Sequence, residues 1–208
     1  MDPVTVIAPG DTSALPPQAV RPVNPADYRP AFLNVGVIVW LASELMFFSG
    51  LFAAYFSLRS ATRPWPPTGD VLDVPPVLVA TILLVLSSFT MQYGVHRAIK
   101  GSKWGFIGWT AMTFVLGALF EGMQISDYIG RPFSISKDAY GSAFYTLTGF
   151  HFLHVAGGLI AMIIVGVRVF RTPRFGHRTM PAIEMLSYYW HFVDVVWVAM
   201  FLAIFVLK

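Results

Sequence analysis

Five long apolar segments constrain what this chain can fold into. Each is long enough to cross a hydrocarbon core about 30 Å thick, which needs roughly 20 helical residues. Their predicted bounds are 31–58, 75–95, 104–128, 141–169 and 185–207. With 56% hydrophobic residues, the chain has too little polarity to coat a soluble protein of 208 residues. The predicted fold is therefore all-α, an integral membrane bundle of five transmembrane helices.

The first 30 residues form a proline-rich tail. It contains seven prolines, and no Lys or Arg precedes Arg21. A signal peptide needs a positive start and an apolar centre, so we do not interpret the tail as one. Proline at this density opposes both helix and sheet, which predicts an extended segment on the membrane surface or on a partner. The predicted organisation is a tail at residues 1–30 and a transmembrane domain at residues 31–208.

The positive charges between the apolar segments predict the orientation of the bundle. Seven Lys and Arg residues lie in or directly beside the second and fourth connections, whereas four lie in the first and third. Because positive side chains resist translocation, the second and fourth connections are predicted to be cytoplasmic. The N-terminus is then cytoplasmic and the C-terminus outside. We therefore attribute the net charge of +3 to residues that set the membrane topology, and we predict no nucleic-acid partner.

Small residues recur in the first and fourth segments. They are Ser49, Gly50, Ala53 and Ala54 in the first and Gly149, Gly157, Gly158 and Ala161 in the fourth. Lipid supplies no hydrophobic drive between helices, so helices associate where small residues let their backbones approach closely. We predict helix–helix contacts at both sets.

Six ionisable side chains lie inside the apolar segments and away from their ends. They are Glu44, Glu121, His151, His154, His191 and Asp194. Each costs at least a few kcal/mol at mid-bilayer, so each needs a partner or a function.

Glu44 lies about 13 residues into the first segment, which at roughly 1.5 Å per residue places it near the midplane. His154 lies at comparable depth in the fourth segment, and His151 lies one turn away on the same predicted face. We predict that Glu44 pairs with one of these histidines across a helix contact. A proton-relay carboxyl is the alternative, although a relay needs further polar groups at each end.

Polar residues in the fifth and third segments are predicted to satisfy one another. His191 and Asp194 are three residues apart, so their side chains can meet directly. An Asp that orients a His is a proton-transfer geometry, but it also satisfies two buried polar groups at once, and we favour this structural interpretation. Glu121 lies about two turns from the outer end of its segment. It is predicted to extend toward the interface, where Gln124 and Asp127 complete a polar cap.

The sequence predicts no catalytic residue, no cofactor and no metal site in this chain. Cysteine is absent, which excludes disulfides and thiolate ligands. His151 and His154 lie on one helix and cannot ligate opposite faces of one haem. The predicted contact with Asp194 accounts for a buried histidine at position 191 without a metal. Two other classes stay open: a stand-alone proton-coupled transporter, for which no interrupted helix is present, and a haem-bearing membrane anchor.

Four ordered motifs resemble those of subunit III of cytochrome c oxidase. They are the runs 43–50 (SELMFFSG), 149–158 (GFHFLHVAGG) and 190–197 (WHFVDVVW), and the stretch from Gln124 through Asp127, Tyr128 and Pro132 to Ser142. Four motifs on different segments are far more specific than one short pattern. The similarity covers nearly everything after Pro30.

This resemblance implies an accessory, cofactor-free subunit of a proton-pumping haem–copper oxidase in a bacterial plasma membrane. In the family, subunit III packs against subunit I, which holds haem and copper and reduces dioxygen to water. Subunit III stabilises subunit I, supports proton uptake and holds phospholipid in a V-shaped cleft beside its first two helices. The acid that corresponds to Glu44 lies near that cleft and the proposed path of dioxygen. Other oxidase subunits are implied partners, and membership of a larger supercomplex stays open.

The sequence also departs from the family pattern. Many members have seven helices, whereas this sequence predicts five and starts at what would be the third. The lipid cleft is then incomplete or is completed by another subunit. The five-helix form resembles bacterial oxidases, and a quinol oxidase subunit III is the alternative. An Asp is common in quinol oxidases where Glu44 stands, so Glu44 favours a cytochrome c oxidase. Asp127 stands where the family often has Glu.

Overall fold

The computed structural model describes residues 32–66, 74–131, 134–172 and 179–207, which contain five long helices and no strand. The helices are α1 (Phe32–Ala61), α2 (Val74–Ile99), α3 (Lys103–Gly130), α4 (Ala139–Arg171) and α5 (Met180–Phe201), with a π-helical turn at Leu202–Val206 after α5. All five are long and apolar enough to span a membrane, which confirms the predicted all-α architecture. The proline-rich tail lies outside the described residues.

Most helices extend a few residues beyond the predicted apolar spans, because polar residues form part of their first or last turns. Ser102 caps α3 by accepting a hydrogen bond from the Gly105 amide at 3.2 Å. Asp138 caps α4 in the same way, at 2.7 Å from the Gly141 amide. The largest difference is in α5, which begins at Met180 instead of 185, with a proline in its first turn, where the missing N–H costs nothing. Hydropathy alone does not detect such end turns.

Helices α2 and α3 form an antiparallel hairpin that turns at Gly101, whose φ of 76° is in the left-handed region. Helix α5 packs on α1, α2 and α4, whereas α1 packs only on α4 and α5 among the described helices with appreciable contact. Only 6% of the residues in the most apolar stretch of α1 are buried inside the chain, compared with 44% in the last membrane span. Helix α1 is therefore a peripheral helix, held mainly through Phe48 and Tyr55, which are 1% and 2% exposed.

Trp190 of α5 joins three other helices. Its side chain is fully buried, and its Nε1 donates a hydrogen bond to Ser87 Oγ of α2 at 2.9 Å. A Cβ atom on Gly117 of α3 would lie 2.7 Å from the indole Cη2, and one on Gly158 of α4 would lie 2.9 Å from its Cε3. The indole therefore occupies space that two glycines leave open on two different helices.

Trp197 repeats this arrangement two turns further along α5. Its Nε1 donates to Thr81 Oγ1 of α2 at 3.0 Å. Its ring meets Phe120 of α3 edge to face at 4.8 Å and stacks on His151 of α4 at 5.0 Å between ring centroids. Residues seven apart share a helix face, so both indoles of the 190–197 motif point into the same interior.

The predicted close contacts at small residues are confirmed at Gly157 and Gly158 of the fourth segment, but not at Gly149, where an added Cβ would meet nothing within 4 Å, nor at the first segment's exposed small residues. Gly158 faces Trp190, and a Cβ on Gly157 would lie 3.3 Å from the Tyr189 hydroxyl. The small residues of the first segment are all exposed, namely Ser49, Gly50, Ala53 and Ala54. Small side chains permit a close approach, but the neighbouring helix must also present a bulky group to fill the space.

We expect Gly117→Ala and Gly158→Ala each to lower the free energy of unfolding by roughly 1–3 kcal/mol, because the new methyl group displaces a rigid, enclosed indole. Thermal unfolding of the purified protein in mild detergent, followed by tryptophan fluorescence, measures the change. The matched control is Gly122→Ala, since a Cβ at that position meets no atom within 4 Å. Equal effects at all three glycines would contradict the proposed fit of the indole.

Candidate functional site

Glu44 of α1 and His154 of α4 form a hydrogen-bonded polar pair inside the membrane-spanning region. Glu44 Oε2 lies 3.2 Å from His154 Nε2, and the two side chains are 22% and 16% exposed. The prediction that Glu44 pairs with a histidine of the fourth segment is therefore confirmed, with His154 as the partner. Because α1 has few other buried residues, this contact is one of its main attachments to the bundle.

The second nitrogen of His154 fixes where protons lie in this pair. His154 Nδ1 is 2.7 Å from the carbonyl oxygen of Phe150. A carbonyl oxygen only accepts hydrogen bonds, so Nδ1 carries a proton. A hydrogen bond between Nε2 and Glu44 Oε2 then needs one further proton, carried either by the imidazole or by the carboxyl group. The pair is neutral overall in both arrangements, so a proton can change atoms without placing a net charge in the membrane.

The surroundings of the pair are mostly aromatic. The rings of Phe48 and Phe47 lie 5.0 and 6.5 Å from the imidazole of His154, and the Tyr189 hydroxyl donates to the His154 carbonyl at 2.7 Å. Among the described residues, Glu44 makes no hydrogen bond except the one to His154. Within the described ranges, no hydrogen-bonded chain of side chains therefore leads onward from the carboxyl group, which favours the structural interpretation over a proton relay.

His151 does not share this site. Its ring is 1% exposed, stacks on Trp197 and meets Phe120 at a centroid distance of 6.2 Å. Neither ring nitrogen has a hydrogen-bond partner among the described residues. His151 and His154 therefore contact different neighbours, and the prediction that they share one face is wrong. Residues three apart are offset by about 60° around a helix, which is enough for two side chains beside a helix groove to contact different neighbours.

His191 and Asp194 do not meet directly, contrary to the prediction. His191 Nε2 instead lies 3.2 Å from the side-chain oxygen of Gln92 on α2. Asp194 is 9% exposed and lies beside Ser88 of α2, and its Oδ1 has no hydrogen-bond partner among the described residues. The neighbouring helix supplies a neutral amide to the histidine, which spacing along one helix cannot anticipate.

Glu121 is buried, so the prediction that it extends toward the interface is wrong. Its residue exposure is 7%, and neither carboxyl oxygen has a hydrogen-bond partner within the described ranges. Gln124 is also buried, at 5%. Only Asp127 behaves as a cap, because Arg131 at the end of α3 donates to its carboxylate with an Nε–Oδ2 distance of 2.9 Å. Of the predicted polar cap, the described residues retain only the Asp127–Arg131 ion pair.

A crevice of about 460 Å³ lies between α1, α4 and α5. Its lining is largely apolar and includes Trp40, Gly157 and Tyr189, while Arg168 supplies a cation near the end of α4. The rings of Trp40 and Tyr189 stack at 5.5 Å, so an aromatic wall closes one side. Within the described ranges, no group of three or more His, Asp or Glu side chains comes together as a metal site.

Sequence reasoning missed Gln92 and Arg168. Gln92 is polar but not ionisable, so a criterion based on ionisable residues does not select it. Its amide nevertheless also needs hydrogen-bond partners in lipid, and a criterion that includes amides selects it. Arg168 was interpreted only as a topology signal, because its place in a crevice depends on where α1 and α5 pack.

Comparison with known proteins identifies similar chains. The profile of the family described as cytochrome c oxidase subunit III matches residues 29–208. A protein of Mycobacterium tuberculosis named "Probable cytochrome c oxidase subunit 3" is 46% identical over 86% of this chain and 90% of its own length. "Cytochrome c oxidase subunit 3" of Corynebacterium diphtheriae is 39% identical over 96% and 98%. "Cytochrome bo(3) ubiquinol oxidase subunit 3" of Pseudomonas aeruginosa is 34% identical over 83% of each chain.

We expect Glu44→Leu and His154→Leu to destabilise the protein less in combination than the sum of the two single effects. Each single change leaves a partly buried polar group unpaired, whereas the double change removes both groups. The expected coupling is about 0.5–2 kcal/mol, obtained from unfolding free energies in detergent for the four members of the cycle. Strictly additive effects would show that the contact contributes nothing.

We expect Glu121→Met to raise the free energy of unfolding by about 1–3 kcal/mol, because it removes a buried carboxyl group that lacks partners. The same detergent unfolding measurement applies. Asp127→Asn is the control, and it should lower stability, since that carboxylate is paired with Arg131. A loss of stability in Glu121→Met would mean that the carboxyl group has a partner in the folded protein.

Proposed function

Because the chain belongs to the cytochrome c oxidase subunit III family, we propose that it is a non-catalytic subunit that packs against subunit I of its complex. It is a subunit III of a haem–copper oxidase and a multi-pass protein of a bacterial plasma membrane. The match over residues 29–208 carries the proposal. The buried indoles of Trp190 and Trp197, which fill the middle of the described bundle, are an argument against a stand-alone transporter.

We propose cytochrome c as the electron donor of the complex. The relatives named as cytochrome c oxidase subunits are 36–46% identical to the chain, whereas the quinol oxidase relative is 34% identical. Glu44 also favours cytochrome c, because the resemblance described above associates an Asp at this position with quinol oxidases. In this proposal the haem and copper belong to partner subunits, and this chain contributes packing.

The proposed role of the Glu44–His154 pair is to hold α1 on α4. The pair spans two helices with a short polar contact, and α1 otherwise buries little of its apolar surface within the chain. Its neutrality in either proton arrangement lets it stay buried without another counter-charge. Support of proton uptake then follows from keeping subunit I correctly packed, since Glu44 hydrogen-bonds to His154 alone in the part of the chain that the structure describes.

We further propose that the crevice between α1, α4 and α5 holds a phospholipid. An acyl chain suits the apolar lining, and the Arg168 guanidinium suits a phosphate group. The proposed orientation, with the N-terminus inside, puts Arg168 at the cytoplasmic surface, where a headgroup lies.

The test is purification of the tagged chain from its own membrane in mild detergent. We expect it to bring down an oxidase containing subunit I, with the haem absorption of that complex and cytochrome c oxidation. Recovery of the chain alone, or an absorption band that stays with the isolated chain, would contradict the accessory role.

The same preparation tests the lipid site. Arg168→Gln is expected to lower the phospholipid that stays bound after detergent washing, whereas Arg171→Gln is the control, because Arg171 ends the same helix and does not line the crevice. Equal phospholipid content in both variants and in the unchanged protein would exclude Arg168 as a headgroup ligand.

A further inference from the structure

An apolar groove of about 330 Å³ runs between α3 and α4. Its lining includes Phe114 and Val115 of α3 and Gly166 of α4. The crevice beside Arg168 lies on another side of α4, because Ala161 lines the crevice and Ile163 lines the groove. Residues two apart differ by about 200° around a helix. The groove is therefore separate from the lipid crevice proposed above.

Gly166 leaves part of this groove open. A Cβ atom added at Gly166 would meet no atom within 4 Å, whereas Gly117 and Gly158 leave spaces that the indole of Trp190 fills. A glycine inside a helix lowers stability relative to other residues, and folded proteins leave few voids of this size. Since none of the described side chains fills the space at Gly166, a molecule from outside the chain is needed there.

A cation and an exposed indole lie at one end of the groove. Lys103 begins α3 and lies one turn before Ile107, which lines the groove. The Lys103 ammonium donates to the carbonyl oxygens of Phe170 and Thr172 at 2.8 and 3.0 Å, and its third N–H has no partner among the described residues. Trp104 is 69% exposed, and its ring packs on Phe170 at 5.9 Å. Two hydrogen-bond donors are therefore free beside the groove.

The charge at this end of the groove is positive and is not offset by acids of α3 or α4. Residues 103–110 and 164–172 contain no Asp or Glu. Along α3, the cation and the indole come first, at the level where tryptophan anchors in headgroups. The apolar lining follows from Ile107 to Val115, over about 12 Å. A phospholipid has the same order, with an anionic phosphate at one end and apolar chains beyond it.

We propose that the groove binds an acyl chain of an anionic phospholipid, whose phosphate accepts hydrogen bonds from Lys103 and Trp104. The lipid then bridges α3 and α4, because its chain packs on both helices. A side chain from another subunit could fill the space at Gly166, but it would have no use for the unpaired donors at the end of the groove. The proposal goes beyond the proposed function, since the groove is formed by this chain alone.

The first test uses Gly166→Leu in the detergent-extracted assembly that contains the tagged chain. The new side chain enters the groove, and leucine favours a helix more than glycine, so the variant is expected to fold. We expect tightly bound phospholipid to fall by about one molecule per chain. Gly149→Leu is the matched control, because Gly149 is also half-buried on α4, has no atom within 4 Å of an added Cβ and does not line the groove. Unchanged phospholipid in Gly166→Leu, or an equal loss in both variants, would overturn the proposal.

The second test places a photoreactive amino acid at Val115, which is 51% exposed and lines the groove. The assembly is reconstituted in vesicles of equal parts phosphatidylglycerol and phosphatidylcholine. We expect adducts mainly with phosphatidylglycerol, and we expect Lys103→Gln to lower this preference about fivefold, the effect of one cation near a membrane surface. Lys100→Gln, which removes an exposed cation from the same connection, is the control. Adducts with another subunit, or equal adducts with the two lipids, would overturn the proposal.

Discussion

The fit of one indole against two glycines is the contact on which the rest of this bundle depends. Lipid gives helices no hydrophobic reason to associate, so shape and hydrogen bonds must hold them. Trp190 meets both needs, because its ring fills the space left by Gly117 and Gly158 and its Nε1 donates to Ser87. Trp197 repeats the arrangement through Thr81. Helix α5 thereby fixes the positions of α2, α3 and α4, while α1 is attached through fewer contacts.

The buried polar groups fall into two kinds with different consequences. Some find partners on another helix, as Glu44 does with His154. Others, such as Glu121 and His151, are enclosed and have no hydrogen-bond partner in the described part of the chain. In a medium of low dielectric constant, a satisfied polar contact specifies one packing arrangement, whereas an unsatisfied group lowers stability.

This distribution suits a subunit that holds other subunits in place. The carboxyl group of the Glu44–His154 pair contacts no further hydrogen-bonding side chain among the described residues. The bundle interior is filled by aromatic rings, whereas the exposed apolar surface of α1 and the crevice beside Arg168 lie on the outside. In the proposed function these outer surfaces, where lipid and partner subunits bind, carry the contribution of the chain to respiration.

Sequence alone determined the number of membrane spans, the absence of thiolate chemistry, the family, and the pairing of Glu44 with a histidine of the fourth segment. These follow from composition, from motifs and from depth along each helix, which residue spacing measures directly. Tertiary structure decided that the partner is His154 and not His151, that Gln92 contacts His191, and that Glu121 is enclosed. Each of these depends on the rotation of a helix about its axis and on which neighbour faces it. That rotation is set by the packing of bulky rings against small residues on other helices, which no single segment encodes.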